Sequence, residues 1–227
     1  MSGSESMNEN IKDQKILLSF DLDNTLINNR EGIVNSFNYA LNKYKLPTLE
    51  TVRIEEMIGI PLIEMFKQVS NVNPKKLAKA FRSYYGKKGV YQGNLLPDVT
   101  LKLEELKRNS FTLGVITSKK QELAVKIVKI LGIFDFFDYV IGECKQVKSK
   151  IDPNLKITLL NKYKGYKIVI IGDHPKDKAL AETLNVPFVG VLTGNHSAEE
   201  LQHGSTTKTL IIKSVKDLKP KLIYSLL

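Results

Sequence analysis

Residues 16–27 read ILLSFDLDNTLI. The run from Ile16 to Phe20 has the character of a buried β-strand. It is broken at once by Asp21, Leu22 and Asp23, before the aliphatic pair Leu26 and Ile27 resumes. Two carboxylates this close repel each other, and loss of water at the end of a buried strand makes the repulsion worse. Something positive has to offset that cost, and a bound cation is the simplest candidate.

Further along the chain, five more short, β-branched segments resemble KILLSF (15–20): FTLGVI (111–116), DYVI (138–141), KIVII (167–171), PFVGV (187–191) and TLII (209–212). Several are continuously apolar, as strands covered on both faces of a parallel sheet must be. Helical patterns lie between most of them. Val99, Leu103 and Leu106 form one apolar stripe, and Leu123, Ile127, Ile130 and Leu131 form another. Proline follows Asp152 and again His174, the placement of a first helical turn. Alternating strands and helices predict an α/β fold built on a doubly wound, Rossmann-like parallel sheet.

The alternation fails once, between Phe20 and Phe111. That interval carries three helical stripes and no convincing strand: Ile33, Phe37, Ala40, Leu41 and Tyr44; Leu62, Met65, Phe66 and Val69; Leu77, Phe81, Tyr84 and Tyr85. A simple crossover needs far fewer residues. The expected organisation is therefore an α/β core over 15–28 and 95–227, interrupted by a helical domain over 29–94. Residues 1–14 are polar and are expected to form a disordered leader.

Composition narrows the class. A chain of 227 residues can bury roughly 70% of its unfolded surface, so folding needs neither disulfides nor a structural metal. The single cysteine, Cys144, has no partner within the chain, which points to a reducing, cytoplasmic setting. No stretch approaches the roughly 20 apolar residues of a membrane span. The net charge is +10, carried mainly by lysines spread along the whole chain; the arginines are only Arg30, Arg53, Arg82 and Arg108. Nucleic-acid surfaces concentrate arginine and lysine with aromatics between them. The expectation is a solvated basic surface that attracts a small anionic substrate, with no nucleic-acid or membrane partner.

In doubly wound folds ligands sit beyond the carboxyl ends of the strands. Asp21, Asp23 and Thr25 follow the first strand, and Thr117, Ser118 and Lys119 follow the second. Lys150 precedes the helix that starts at Pro153, and GDHPKD (172–177) supplies Asp173 and Asp177. Singly these have plain structural uses: Thr117 and Ser118 can cap a helix, and acids suit a first turn. Together they form a chemical set. Several carboxylates suit a hard cation such as Mg²⁺, while a hydroxyl and an ammonium suit phosphoryl oxygens. One carboxylate can attack phosphorus and a second can shuttle the proton.

At this point the chain resembles the haloacid dehalogenase-like hydrolases. DLDNTL (21–26) is similar to their DxDxT signature after an apolar strand. VITS (115–118), Lys150 and GDHPKD (172–177) match the other three motifs in order. Within the family, IGIPLIEMF (58–66) and LLPDVTLKLEELK (95–107) resemble the phosphoglycolate phosphatase and β-phosphoglucomutase branch, where the helical insertion is a cap. The resemblance implies a Mg²⁺-dependent phosphatase that hydrolyses a small soluble phosphomonoester, a phosphoglycolate-like acid or a sugar phosphate, through an aspartyl-phosphate. Asp21 would be nucleophile and metal ligand, and Asp23 general acid/base with its backbone carbonyl on the metal. Thr117, Ser118 and Lys150 would hold phosphate oxygens, and Asp173 would complete the metal site. Thr25 and Asp177 would support it. A phosphomutase would share all four motifs, and a non-catalytic binding protein could keep the fold. Two departures stand out: Ile151 follows Lys150 where proline is usual, and His174 stands where small residues are common.

Overall fold

A computed structural model describes residues 14–227; the expected leader, apart from its last residue, lies outside the described residues. The chain divides into two compact units. One comprises the residues up to Leu26 together with Leu95–Leu227, the other Ile27–Asn94.

The first unit is built on β1 (Ile16–Phe20), whose five residues are all buried. Two short strands, β2 (Ile27–Asn28) and β3 (Asn94–Leu95), pair separately. The main sheet continues with β4 (Thr112–Lys120), β5 (Tyr139–Glu143), β6 (Lys167–Gly172), β7 (Phe188–Val191) and β8 (Thr209–Ile212). Its strands are parallel, in the order β5-β4-β1-β6-β7-β8. The chain thus builds outward from β1 on one side, then returns to β6 on the other. That reversal is the topological switch point where doubly wound sheets place their ligands. Register aligns the strand ends there, because Phe20 lies opposite both Val115 of β4 and Ile171 of β6.

The core explains the continuous apolar runs. Leu17, Ile168, Ile170 and Phe188 on the sheet pack with Leu155 and Leu159 and with Leu180, Ala181 and Leu184. These last five belong to the helices Pro153–Lys162 and Pro175–Leu184. Each such leucine, isoleucine or phenylalanine stabilises the fold by roughly 1.5–3 kcal/mol on burial. Both helices start as their sequences predict, with proline in the first turn after Asp152 or His174.

Two local expectations change. The strand read as ending at Ile116 runs on to Lys120, with a register shift against β5 between these residues. The helix Gln121–Ile130 buries Ala124, Ile127 and Val128, while Ile130 is exposed. Ala124 is fully buried, and Gly132 follows the helix in the left-handed conformation at φ +69°.

The second unit is helical: α1 (Arg30–Lys43), α2 (Thr51–Glu56), α3 (Leu62–Val69) and α4 (Pro74–Lys87). Phe37 of α1 stacks on Phe66 of α3 at a centroid distance of 4.3 Å, and Leu41, Ile54 and Leu77 are buried with them. Asn73 caps α4 by accepting from the Lys75 N–H at 2.9 Å. No helix of the described residues is long and apolar enough to cross a membrane.

Candidate active site

Beyond β1 the chain turns tightly. The Leu26 N–H donates to the Leu22 carbonyl at 3.0 Å, Leu22 and Leu26 are fully buried, and Asn24 takes the left-handed conformation at φ +55°. The two leucines anchor the loop from below, so Asp21 and Asp23 stand at the carboxyl edge of the sheet. The Asp21 N–H donates to the Ile171 carbonyl at 2.8 Å, extending the β1–β6 ladder by one bond. Two residues beyond Ile171 comes Asp173, and the Thr25 hydroxyl donates to its Oδ1 at 2.9 Å.

Lys150 closes the arrangement. Its ammonium lies 2.6 Å from Asp21 Oδ1 and 2.5 Å from Asp177 Oδ1, and all three side chains are almost wholly buried. Asp177 divides its two oxygens: Oδ1 takes Lys150, while Oδ2 accepts from the His174 N–H at 3.2 Å, as part of a capping box. The start of one helix therefore holds the lysine that precedes another. Asp21, Asp173 and Asp177 each present one oxygen within 4.8 Å of the others. Asp23 is half-buried and pairs with Lys119 at 2.7 Å. Thr117 is buried beside this group in the chain, whereas Ser118 is exposed. The Thr117 hydroxyl accepts from the Lys119 N–H at 3.2 Å, and Lys120, not Thr117 or Ser118, occupies the cap position of the next helix.

Electrostatics show what the cluster can hold. Burial pushes the Asp21 carboxyl well above its usual value; Lys150 opposes this, but Asp177, Asp173 and Asp23 add to it. Burial, then Asp177, lifts Asp173 to about 7 against the pull of the Thr25 hydrogen bond and Lys150. Burial works against the charge of Lys150, yet Asp177 and Asp21 together hold its ammonium more firmly protonated than usual. Three buried carboxylates around one ammonium leave an excess of two negative charges when ionised. One divalent cation would balance it, and oxygen donors in this number suit a hard one. The buried Oδ1 of Asp23 has no hydrogen-bond partner among the described residues. The donor set fits a metal.

The sequence places Lys119 beyond the second strand but gives it no role, and other participants carry no signal at all. Thr193 and Gly194 follow β7, a strand end whose loop has no acid to draw notice. Yet the Thr193 hydroxyl donates to the Asn24 carbonyl, and a Cβ on Gly194 would lie 2.0 Å from Asp173 Oδ2. Gly172 likewise leaves room for Asp177, whose Oδ2 would lie 2.3 Å from an added Cβ. His174, which stands where small residues are common, is half-buried. Its Nδ1 accepts from the Lys176 N–H at 3.0 Å, and its ring meets His196 edge-on at 4.5 Å. Burial, then His196, Lys176 and Lys150, lowers it to about 4, so it stays neutral and caps the helix.

A doubly wound sheet with an acid pair beyond its central strand and a lysine-bridged acid cluster at the switch point defines a class of hydrolase. The chain belongs to the haloacid dehalogenase-like hydrolases, whose family model matches residues 18–191. It is similar to a probable phosphatase, IndB, of Dickeya dadantii, with 28% identity over 83% of this chain and 86% of the relative. A phosphoglycolate phosphatase of Yersinia pestis is 25% identical over 90% of this chain and 92% of its own length. Among solved structures, the protein tyrosine kinase A of Mycobacterium tuberculosis superposes with a TM-score of 0.78 and 26% identity, covering 94% of this chain and 99% of that one.

Proposed function

We propose that this hydrolase is a Mg²⁺-dependent phosphatase, which cleaves a small soluble phosphomonoester by way of an aspartyl-phosphate. The observation that carries the reading is the Asp21–Lys150–Asp177 bridge with Asp173 beside it: four buried ionisable groups drawn from three separate segments of the chain. Such a cluster is costly unless the charges are used. Asp21, Asp173 and the Asp23 backbone carbonyl would hold the metal. Bound there, Mg²⁺ would neutralise the excess charge and polarise the phosphoryl oxygens.

The residues then divide the work. The Lys150 ammonium and the Thr117 hydroxyl hold the oxygens of the transferring phosphoryl group. An Asp21 oxygen bonds to phosphorus as the bond to the leaving oxygen breaks, and Asp23 gives that oxygen its proton. In the second half, Asp23 takes a proton from water as the water oxygen bonds to phosphorus. The bond to Asp21 breaks, and inorganic phosphate is released. Thr25 holds Asp173 in place, and Asp177 holds Lys150.

The helical unit, inserted directly after the loop that carries both acids, is assigned the role of a cap that selects the substrate. The relative named phosphoglycolate phosphatase supports small phosphorylated acids as the first class to try, with sugar phosphates next. The deciding experiment is a screen of phosphorylated metabolites with Mg²⁺ or with excess EDTA. Phosphate release from at least one small monoester, lost in EDTA and restored by Mg²⁺, is the expected result. Full activity after exhaustive metal removal would sink the reading. Because a structural relative is a tyrosine kinase, ATP with a tyrosine peptide forms a second arm. Phosphopeptide formation without metabolite hydrolysis would replace phosphatase by kinase.

A further inference from the structure

Asp23 is gripped on one side only. Its Oδ2 takes the Lys119 ammonium at 2.7 Å, while its buried Oδ1 has no hydrogen-bond partner among the described residues. The side chains of Lys119 and Asp23 are 11% and 24% exposed, so the pair is partly shielded from water. Its geometry is also built from below. Strand β4 shifts register between Ile116 and Lys120, and the Gln121 side chain clamps the shifted segment to β5. Its Nε2 donates to the Val140 carbonyl at 2.8 Å, and its Oε1 accepts from the Gly142 N–H at 2.7 Å. Gly142 lies so close that an added Cβ would come within 2.5 Å of the Lys119 carbonyl. With Thr117 accepting from the Lys119 N–H, the backbone at Lys119 is located from two strands.

We infer that Lys119 is a positioning residue: by holding Asp23 Oδ2 it fixes the place of the carboxyl group that exchanges a proton with the leaving group. The inference rests on the phosphatase reading above. As the bond from phosphorus to the leaving oxygen breaks, its electron pair stays on that oxygen, which takes the Asp23 proton. In the return step a water proton goes to Asp23 as the water oxygen displaces Asp21 from phosphorus. Without Lys119 the carboxyl group turns freely and its distance to the leaving oxygen is no longer fixed. The resulting loss depends on how strongly the leaving oxygen needs that proton.

The test compares Lys119→Met, Lys119→Arg and Asp23→Asn on p-nitrophenyl phosphate, phenyl phosphate and an alkyl phosphate, with Mg²⁺ saturating. A positioned general acid contributes about 10²–10⁴-fold, and loss of its positioning should remove about 10–100-fold of kcat/KM, which reports the step that releases the leaving group, on the alkyl ester. On p-nitrophenyl phosphate, whose leaving group needs little help, the loss of kcat/KM should be under about threefold. Lys119→Arg should restore most of the alkyl-phosphate kcat/KM. An equal loss of kcat/KM on all three esters, or no loss, would overturn the proposal. If Asp23→Asn also loses nothing selectively on the alkyl ester, the acid assignment falls and this proposal with it. A selective loss in Asp23→Asn without one in Lys119→Met overturns the proposal alone. Should Lys119→Met lower the melting temperature enough to deplete folded enzyme, Lys119→Leu, which likewise has no donor, carries the same expectation.

Discussion

The two compact units bury different kinds of side chain. Among the described residues of Ile27–Asn94, the buried polar side chains are Asn29 and Ser36, both neutral. Ser36 donates to the Gly32 carbonyl at 2.6 Å and Asn29 to the Tyr85 hydroxyl at 3.1 Å. The rest of that unit's interior is aromatic and aliphatic, centred on Phe37 and Phe66. The α/β unit instead buries Asp21, Lys150, Asp173 and Asp177 within reach of one another. A helical unit packed for stability has no use for such groups. Retaining them in the α/β unit costs stability where chemistry requires charge.

The largest expected effect tests that contrast directly. Asp21→Asn should lower turnover by about 10⁴-fold or more, yet leave the melting temperature in EDTA unchanged or higher, because burial, more than the pull of Lys150 offsets, disfavours a charge at this position. Circular dichroism and phosphate release on the same sample would show it; a variant that is active, or that unfolds, contradicts the assignment. Phe66→Ala in the helical unit should behave in the opposite way, costing about 3–5 kcal/mol of stability. Urea unfolding followed by near-ultraviolet signals measures this, and a cost near zero would mean the Phe37–Phe66 stack is not the core of that unit.

Metal removal should give the acid cluster its own pH signature. Asp173 rests at about 7, above the 3.8 of a free carboxyl. Between these values the folded, metal-stripped protein holds a proton that the unfolded chain has released. Its stability should therefore fall as pH rises from about 4 to about 7, and Mg²⁺ should flatten that slope by keeping the carboxylate ionised. Thermal melts in EDTA and in Mg²⁺ across this range decide it; parallel curves would argue against Asp173 as a ligand. The smallest effect is expected at Gly194→Ala, where the new methyl meets Asp173 Oδ2 at 2.0 Å. Displacing that oxygen should weaken Mg²⁺ affinity by about 10–100-fold, read by titrating activity against free Mg²⁺, with little change in melting temperature.

Much of this molecule is legible in one dimension because its signals are local. Short β-branched segments, several of them continuously apolar, mark the strands, and the six segments so marked form the six strands of the main sheet. The pair Asp21 and Asp23 declares itself because charge beyond an apolar strand is unusual, and proline after Asp152 and His174 announces two helix starts. Lys102 and Lys150 show where that legibility ends. Both are buried, but Lys102 pairs with Glu105 one helical turn away at 2.5 Å, a partner that periodicity supplies. Lys150 pairs with acids far away in the chain, 2.6 Å from Asp21 and 2.5 Å from Asp177.

By itself, then, the amino-acid order determined the α/β alternation, the helical insertion and the residue types that gather at strand ends. Those features follow from burial and periodicity within a few neighbouring residues. Only the tertiary structure decided that Lys119 grips Asp23, that Asp177 shares its oxygens between a helix start and Lys150, and that Gly194 leaves space for Asp173. Each of these is a contact of a few ångströms between segments that only the parallel register of β4, β1, β6 and β7 brings side by side. A lysine or glycine carries no mark of the neighbour it will meet across such a sheet.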